Sequence, residues 1–208
     1  MNVAIFGVTG MTGRFVLAEA LARGHEVTAL VRDPDRLEVD DENLEVIAGD
    51  VLDPEAVEKA IIGQDAVVAV LGAGMRRTTL RTDGNRNIVE AMQRQGVRRL
   101  VTMSIFGLGD SAKKLPLYWR LLVKPLILRN AYRDHAGQEA VVAASDLDWT
   151  LTRPVSLRDV EPTGRYQDGP AAAMDKITLK IGLTDFARFT LDQLESDKYL
   201  HRRPGISY

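Results

Sequence analysis

The amino-acid sequence predicts an α/β fold in which a doubly wound parallel sheet carries helices on both faces. Helical and extended patterns alternate along the chain at intervals of about twenty to thirty residues. Several extended segments are continuous apolar runs, which are typical of parallel strands buried on both sides. The first strand also leads directly into a glycine-rich turn and then into a helical pattern. Together, these observations predict repeated strand-helix units around one parallel sheet.

Capping residues mark the ends of the predicted helices. Asp53 and Pro54 are typical of a helix start, with an N-cap followed by proline at the first helical position. Gly63 and Gly96 stand where two helices should end, because glycine readily adopts the left-handed conformation that terminates a helix. The patterns predict six strands near residues 2–7, 26–31, 44–48, 65–70, 98–103 and 148–153, and helices near 13–23, 54–61, 82–95 and 130–145.

Two regions interrupt this alternation. Residues 107–129 form an apolar, aromatic and basic insertion, and residues 154–208 contain a polar stretch, a short strand near 176–181 and a helix opened by Thr184 and Asp185. Ligands of open α/β sheets bind beyond the carboxyl ends of the strands, so we expect both regions to overhang the site. The insertion is equally consistent with a substrate lid and with a dimerisation surface or a plain helical hairpin. We expect one domain over residues 1–208, in which 154–208 form a small extension on the substrate side.

The composition excludes several classes of protein. Apolar residues make up 45% of the 208 residues, charged residues 27%, and the net charge is −2, as in a globular protein without a nucleic-acid partner. No apolar stretch reaches membrane-spanning length and the first residues already read as a strand, so we expect a cytoplasmic protein without a membrane partner. Cysteine is absent, which excludes disulfides and thiolate catalysis, and no cluster of His, Asp and Glu has metal-ligand spacing.

The glycine-rich turn predicts a binding site for the pyrophosphate of a dinucleotide. Gly7, Gly10 and Gly13 follow the first strand at three-residue spacing and precede a helix, the order found in a Rossmann-type sheet. Small residues allow phosphates to approach the backbone, and the helix N-terminus offers unpaired N–H groups with partial positive charge. Thr9 and Thr12 add hydroxyl groups nearby. The alternative is a plain helix-start turn without a ligand.

The end of the second strand favours NADP over NAD. Arg32 is the first residue beyond the strand and Arg36 follows one helical turn later, so two guanidinium groups can reach one 2′-phosphate. Alternatively, Arg32 pairs with Asp33 or Asp35 on the surface, or Asp33 itself holds a ribose. We expect NADPH as the cofactor, with NAD as the less favoured choice.

The ends of the third and fourth strands carry further candidate cofactor contacts. Asp50 can accept a hydrogen bond from the adenine amine while Val51 packs on the ring. Leu71, Gly72 and Ala73 follow the fourth strand, where small residues let the backbone approach a ribose. The repetition of such turns along one sheet edge supports a dinucleotide site.

These motifs and several others resemble a known family over most of the first 155 residues. They are residues 4–13, 31–33 with Arg36, 49–52, 63–67, 87–89, Met92, 96–97 and 153–154. The set is similar to the atypical branch of the short-chain dehydrogenase/reductase superfamily, and most similar to its flavin reductase/biliverdin IXβ reductase group. The resemblance implies an NADPH-dependent oxidoreductase that transfers hydride to a small, flat, conjugated acceptor such as a flavin, a quinone or a tetrapyrrole. It also implies cofactor contacts at Met11, Ser104, Pro154 and Val155 and fits a monomer or a homodimer.

The chain departs from the usual catalytic pattern of that superfamily. The family tyrosine is followed four residues later by lysine, whereas Tyr118, Tyr132 and Tyr166 are followed by other residues. His135 stands at the expected lysine position, after Asp134.

The resemblance implies two candidate catalytic residues, His135 and Ser104. Ser104 lies near the superfamily's serine, although its neighbour Ile105 occupies the position where the flavin-reductase group has serine. His135 can donate or orient a proton, with Asp134 tuning it, or it is a solvated helix histidine. Such residues are less critical for a conjugated acceptor, because its acceptor atoms protonate readily from water.

Two other functions fit the same motifs. The missing tyrosine-lysine pair is compatible with a non-catalytic protein that senses the redox state of NADP. An NAD-dependent epimerase or dehydratase is the third possibility, but it calls for an acidic contact to the ribose where Arg32 stands.

Overall fold

The computed structural model describes residues 1–74, 77–175 and 177–208. Across these residues the chain forms ten strands and five α-helices. The strands are β1 (Asn2–Phe6), β2 (Glu26–Val31), β3 (Leu44–Ala48), β4 (Ala66–Ala69), β5 (Arg99–Met103), β6 (Asp148–Pro154), β7 (Ser156–Arg158), β8 (Gln167–Gly169), β9 (Lys180–Gly182) and β10 (Gly205–Ser207). The helices are α1 (Met11–Ala22), α2 (Pro54–Ile61), α3 (Leu80–Gln95), α4 (Arg129–Ala143) and α5 (Leu183–Asp192).

The main sheet has the strand order β3-β2-β1-β4-β5-β6-β10-β8. Its first six strands are all parallel, and their order is the doubly wound order that places the switch point between β1 and β4. β10 extends the sheet in parallel to β6, and β8 closes the edge in the antiparallel direction. This topology confirms the predicted fold class.

The sheet is covered on both faces because successive residues of its strands point to opposite sides. In β1, Val3 and Ile5 pack into one apolar cluster with residues of α1 and α5. Ala4 and Phe6 pack into a second cluster with residues of α2, α3 and α4. The continuous apolar runs in the sequence reflect this burial on two faces.

Most predicted elements are confirmed to within two residues, and the differences have local causes. α1 begins at Met11, two residues early, because the last part of the glycine-rich turn is already helical. The strand expected over 176–181 is shorter, since β9 covers only Lys180–Gly182, and Lys176 lies outside the described residues. α5 starts at Leu183, and Asp185 accepts hydrogen bonds from the backbone N–H groups of Thr163 and Gly164, which ties a distant loop to this helix.

The insertion is helical in an unusual form. A 3₁₀ turn, Gly109–Lys114, leads to a π-helical segment, Trp119–Ile127. Pro125 lies inside this segment, and proline cannot donate the backbone bond of a regular α-helix and clashes with the carbonyl four residues earlier. The wider π turn accommodates it, and the N–H of Leu128 bonds to the carbonyl of Val123 at 3.0 Å. Within the described chain, no helix is both long enough and apolar enough to cross a bilayer.

Candidate functional site

A cleft of about 250 Å³ lies where the carboxyl ends of the first four strands meet. Because these strands are parallel, the turns that follow them gather at one edge of the sheet. The cleft is lined by Phe6, Gly7, Thr9, Gly10, Leu30, Val31, Arg32, Arg36, Gly49, Asp50, Val51, Leu71, Gly72 and Leu80.

The three glycines of the turn have different roles. Gly7 has φ of +96°, and a Cβ atom there would stand 2.6 Å from the carbonyl oxygen of Val70, which directly follows β4. The N–H of Gly10 donates to the carbonyl of Gly7 at 3.0 Å, and Gly10 caps α1 without a side chain. Gly13 is buried, and its Cβ would lie 2.0 Å from the Gly7 carbonyl oxygen. Gly7 and Gly10 therefore shape the cleft, whereas Gly13 allows α1 to pack against the turn.

Both predicted phosphate-binding arginines line this cleft. Arg32 and Arg36 are both exposed: Arg32 directly follows β2, and Arg36 is the last residue of a single 3₁₀ turn that begins at Pro34. In the part of the chain that the structure describes, neither forms an ion pair with Asp33 or Asp35. Their positive charges face solvent at the mouth of the cleft, as an anionic ligand would require.

Asp50 and Val51, which follow β3, form another wall of the cleft. An Asp50 carboxylate oxygen accepts from the N–H of Leu52 at 3.0 Å, which fixes the turn after β3. The backbone carbonyl of Val51 accepts from Asn87 of α3, so that this wall is tied to the helix behind it.

Ser104 lies at the end of β5 in a buried ion-pair network. Its hydroxyl donates to a Glu139 carboxylate oxygen at 2.6 Å. Arg153 donates to both oxygens of Glu139, at 2.8 and 2.6 Å, and to Asp110 at 2.7 Å. Burial lowers the pKa of Arg153, but the bonds to Glu139 and Asp110 outweigh burial and leave its pKa raised. Ser104 is only 2% exposed, so its hydroxyl proton is held by Glu139.

His135 is buried and neutral, not solvated. Burial, followed by the nearby Arg81 charge, lowers the pKa of His135 to about 3. Gln138 fixes the tautomer, because its amide NH₂ donates to the carbonyl of Met103 at 2.9 Å, and this carbonyl can only accept. The Gln138 oxygen therefore faces His135 Nδ1 at 3.1 Å, so Nδ1 carries the proton and Nε2 is left as an acceptor.

Asp134 mainly binds the start of α3, whereas the sequence predicts that it adjusts the pKa of His135. Its carboxylate accepts from the backbone N–H groups of Arg81 and Thr82 at 3.1 and 3.0 Å, in the first turn of α3. It also pairs with the Arg81 side chain at 3.3 Å. A carboxylate at this place stabilises the positive end of the helix dipole. On the pKa of His135, the Asp134 charge is the smallest of the four influences.

A second cavity of about 320 Å³ lies beyond the ends of β5 and β6. Because β5 is the neighbour of β4, this cavity stands beside the cleft along the same sheet edge. Trp119 of the insertion faces it, whereas Tyr118 is 54% exposed on the outer surface, so only one ring of this aromatic pair can form a wall. The cavity is lined by Ile105, Phe106, Leu115, Trp119, Val123, Leu128, Tyr132, Pro154, Val155, Ser156 and Leu179.

The structure thus divides the predicted site residues among four places. One group lines the cleft: Gly7, Thr9, Gly10, Arg32, Arg36, Asp50, Val51, Leu71 and Gly72. Pro154 and Val155 line the apolar cavity, while Ser104 and His135 are buried in the polar networks between the sheet and α4. Met11, Thr12, Gly13 and Ala73 lie in the adjoining turns.

Sequence reasoning missed the polar partners on α4. Gln138 and Glu139 follow His135 by three and four residues, which places all three on one side of a helix. That spacing was the available signal. It could not be interpreted without knowing that this side faces β5 and β6.

Comparisons with known proteins agree with the fold and the cleft. An NAD(P)H-binding family model matches residues 7–197. A Streptomyces protein named 3-diazoavenalumate denitrifying reductase is 36% identical over 198 residues, which cover 83% of this chain and 61% of that protein. The chain therefore spans less than two thirds of this relative's length.

Solved structures show the same architecture. A putative epimerase from Bacteroides thetaiotaomicron is 27% identical with a TM-score of 0.84, covering 100% of this chain and 96% of that one. A short-chain dehydrogenase/reductase from Veillonella parvula, solved in complex with NADP, is 18% identical with a TM-score of 0.85, covering 100% and 94%. The sheet order, the cleft and the match over residues 7–197 lead to one conclusion: this chain belongs to the NAD(P)H-binding family of Rossmann-fold proteins.

Proposed function

We propose that the protein is an NADPH-dependent reductase that transfers hydride to a flat conjugated acceptor such as a flavin, a quinone or a tetrapyrrole. The observation that carries this proposal is the pairing of two adjacent sites on one sheet edge. One is a cleft with two arginines that form no ion pair within the described residues, and the other is an apolar cavity with an aromatic wall.

The residues of the cleft fit NADPH. Gly7 leaves space where any side chain would clash with the backbone of Val70, and α1 begins in the same turn, where the N–H groups of a first helical turn can bind an anion. Arg32 and Arg36 supply the charge for a 2′-phosphate, and neither is engaged by a carboxylate within the described residues. When bound, the cofactor supplies a hydride from its nicotinamide ring.

The apolar cavity fits the acceptor. In a doubly wound sheet the two halves of a dinucleotide spread over the two halves of the sheet, so the second half lies over β4, β5 and β6. Trp119 can then stack on a planar acceptor, and Ile105 and Val155 exclude water from the reacting face. Val155, Ser156 and Leu179 belong to residues 154–208, which supports the proposal that this extension completes the substrate side of one domain.

We propose that Ser104 and His135 position the reactants and do not donate a proton to the acceptor. Neutral His135 offers Nε2 as an acceptor, and Glu139 holds the Ser104 proton while leaving the hydroxyl oxygen free to accept. Neither group is a ready acid at neutral pH. An acceptor that takes its proton from water suits this arrangement better than an isolated ketone does.

The reductase name of the Streptomyces relative and the NADP bound in the Veillonella structure support this proposal. The test is to follow loss of the nicotinamide absorbance when purified protein and NADPH are mixed with flavins, quinones or aldehydes. We expect turnover with the conjugated acceptors and little with simple aldehydes. Tight NADPH binding without turnover on any acceptor would contradict the reductase and favour the sensor.

The cofactor preference has its own test. Replacing both Arg32 and Arg36 by alanine should weaken NADPH binding by about 100-fold or more, because two charge-assisted contacts are lost, and should barely change NADH binding. Titration calorimetry with both cofactors measures this difference. Lys59→Ala removes an exposed cation on α2 and serves as the matched control. Equal losses for NADPH and NADH would refute the phosphate contact.

A further inference from the structure

The outer face of the insertion is an apolar surface that none of the described residues covers. Its exposed side chains include Leu117 at 65%, Leu121 at 63% and Leu126 at 74%. Tyr118, Leu122 and Ile127 are each more than half exposed as well. We refer to these six residues as the 117–127 surface. Single exposed apolar residues are common on proteins, but a contiguous group of this kind marks an interaction site.

The segment carries apolar residues on two sides. Trp119, Val123 and Leu128 point inward and line the apolar cavity described above. The outward residues recur every four or five positions, at 117, 121–122 and 126–127, as the π-helical winding of this segment requires. Packing inside the protein therefore accounts for only part of the apolar residues of this segment, and the exposed outer residues call for a binding partner.

The charges around this surface have one sign. Residues 111–133 contain six basic residues and no acidic residue. The carboxylates that flank this stretch in the sequence, Asp110 and Asp134, are both engaged by arginines of the interior, Arg153 and Arg81. The six cations are Lys113, Lys114, Arg120, Lys124, Arg129 and Arg133.

Three of these cations form a concave site beside the apolar surface. A cavity of about 400 Å³ is lined by Arg120, Lys124 and Arg129, together with Ala112, Pro125 and Tyr132. Arg120 and Arg129 are exposed, while Lys124 already donates to the carbonyl of Gly107 at 2.9 Å. A phosphate group placed here would meet two available guanidinium groups.

We infer that the 117–127 surface binds an anionic phospholipid membrane, lying in its interface without crossing it. Apolar side chains with an aromatic residue and flanking cations are the features of such interfacial segments. A second copy of the chain fits less well, because an isologous contact would bring like cations together without acidic partners. This inference replaces the expectation, drawn from composition, that the protein has no membrane partner. It does not depend on the proposed reductase activity.

The experiment measures binding of the whole protein to large unilamellar vesicles by co-sedimentation. Vesicles of equimolar phosphatidylcholine and phosphatidylglycerol should bind the protein, and pure phosphatidylcholine should bind it much less. Added salt should weaken binding, because the cationic contribution is screened. Arg120→Gln with Arg129→Gln should weaken binding by about 30-fold, and Leu121→Asp with Leu122→Asp by more than about 100-fold.

A matched control comes from the end of α2, where Lys59 is an exposed cation and Ile62, the residue after the helix, is an exposed apolar residue. Lys59→Gln with Ile62→Asp should bind the vesicles like the unaltered protein. Unchanged far-UV circular dichroism and NADPH binding show that the surface variants are folded. Absence of binding to the anionic vesicles would overturn the inference. The inference would also be overturned if the protein does not bind vesicles and sedimentation velocity shows a dimer that Leu121→Asp dissociates.

Discussion

His135 makes the stability of the fold depend on pH. Its pKa is about 3 in the folded protein against an ordinary value of 6.5, because the imidazole is buried beside the Arg81 charge. Between these values the unfolded chain binds a proton that the folded chain does not. The contribution of neutral His135 is therefore present above about pH 6.5 and is lost as the pH falls towards 3.

We expect this single group to remove about 2 kcal/mol of unfolding free energy between about pH 7 and about pH 5. Urea unfolding at both pH values, for the unaltered protein and for His135→Asn, measures it. The pH dependence should be smaller by that amount in the variant, whatever its overall stability. Identical pH dependence in the two proteins would show that His135 titrates normally in the folded state.

Gly13 is expected to be indispensable for folding, although it does not line the cleft. A Cβ atom there would stand 2.0 Å from a backbone oxygen of Gly7, and backbone atoms cannot move aside cheaply. Gly13→Ala should cost about 3 kcal/mol or more by overpacking. Gly72 lines the cleft but a Cβ atom there meets nothing within 4 Å, so Gly72→Ala should change stability by less than about 0.5 kcal/mol. Thermal unfolding of both variants tests the contrast, and similar costs would contradict it.

At the scale of elements, Asp134 joins α4 to the start of α3. The carboxylate is fully buried, and it holds two backbone N–H groups and the Arg81 side chain. Burial lowers the pKa of Arg81, and Asp134 opposes this effect. Removing the carboxylate would therefore leave the buried Arg81 cation without its ion-pair partner and would uncap the start of α3.

Asp134→Ala should destabilise the protein by about 3–5 kcal/mol. The surface pair Asp83–Arg86 on α3, where both side chains are more than 40% exposed, provides the control. Asp83→Ala should cost less than about 1 kcal/mol, because water screens that pair. Denaturant unfolding measures both changes, and a cost of Asp134→Ala no larger than that of Asp83→Ala would show that the buried contact contributes little.

At the scale of the whole molecule, the cleft links cofactor binding to stability. A ligand that binds only the folded state stabilises it by about 2.7 kcal/mol at 100 times its dissociation constant. For a chain of this size we expect NADPH at that excess to raise the melting temperature by about 5–10 °C. NADH at the same concentration should raise it less, as should NADPH with the Arg32→Ala, Arg36→Ala protein. Equal shifts for both cofactors, measured by differential scanning calorimetry, would contradict the preference for NADP.

Strands β1, β2, β4 and β5 could be predicted from the sequence because each is a short, mostly apolar run whose central residues are buried on two faces. The three-residue strands β7, β8 and β10 could not. Their few residues carry no period. β10 forms because the end of the chain returns to pair with β6, β8 pairs with β10, and β7 pairs with β9 in a separate two-stranded sheet. The π-helical form of the insertion also escaped prediction, since Pro125 reads equally well as the end of a helix.

Residues that act through the backbone or at strand ends were predictable, because parallel strands bring their turns to one edge whatever the rest of the chain does. Gly7, Arg32 and Arg36 belong to this class. Residues whose chemistry depends on burial were not predictable. His135 has the same neighbours in sequence whether it is solvated or buried, and only the packing of α4 against β5 makes it neutral and gives it Gln138 as partner. The sequence by itself thus determined the alternation of strands and helices and the sheet edge that carries the cleft, through local pattern. Tertiary packing decided the charge states and the uncovered 117–127 surface, because desolvation depends on neighbours that are distant along the chain.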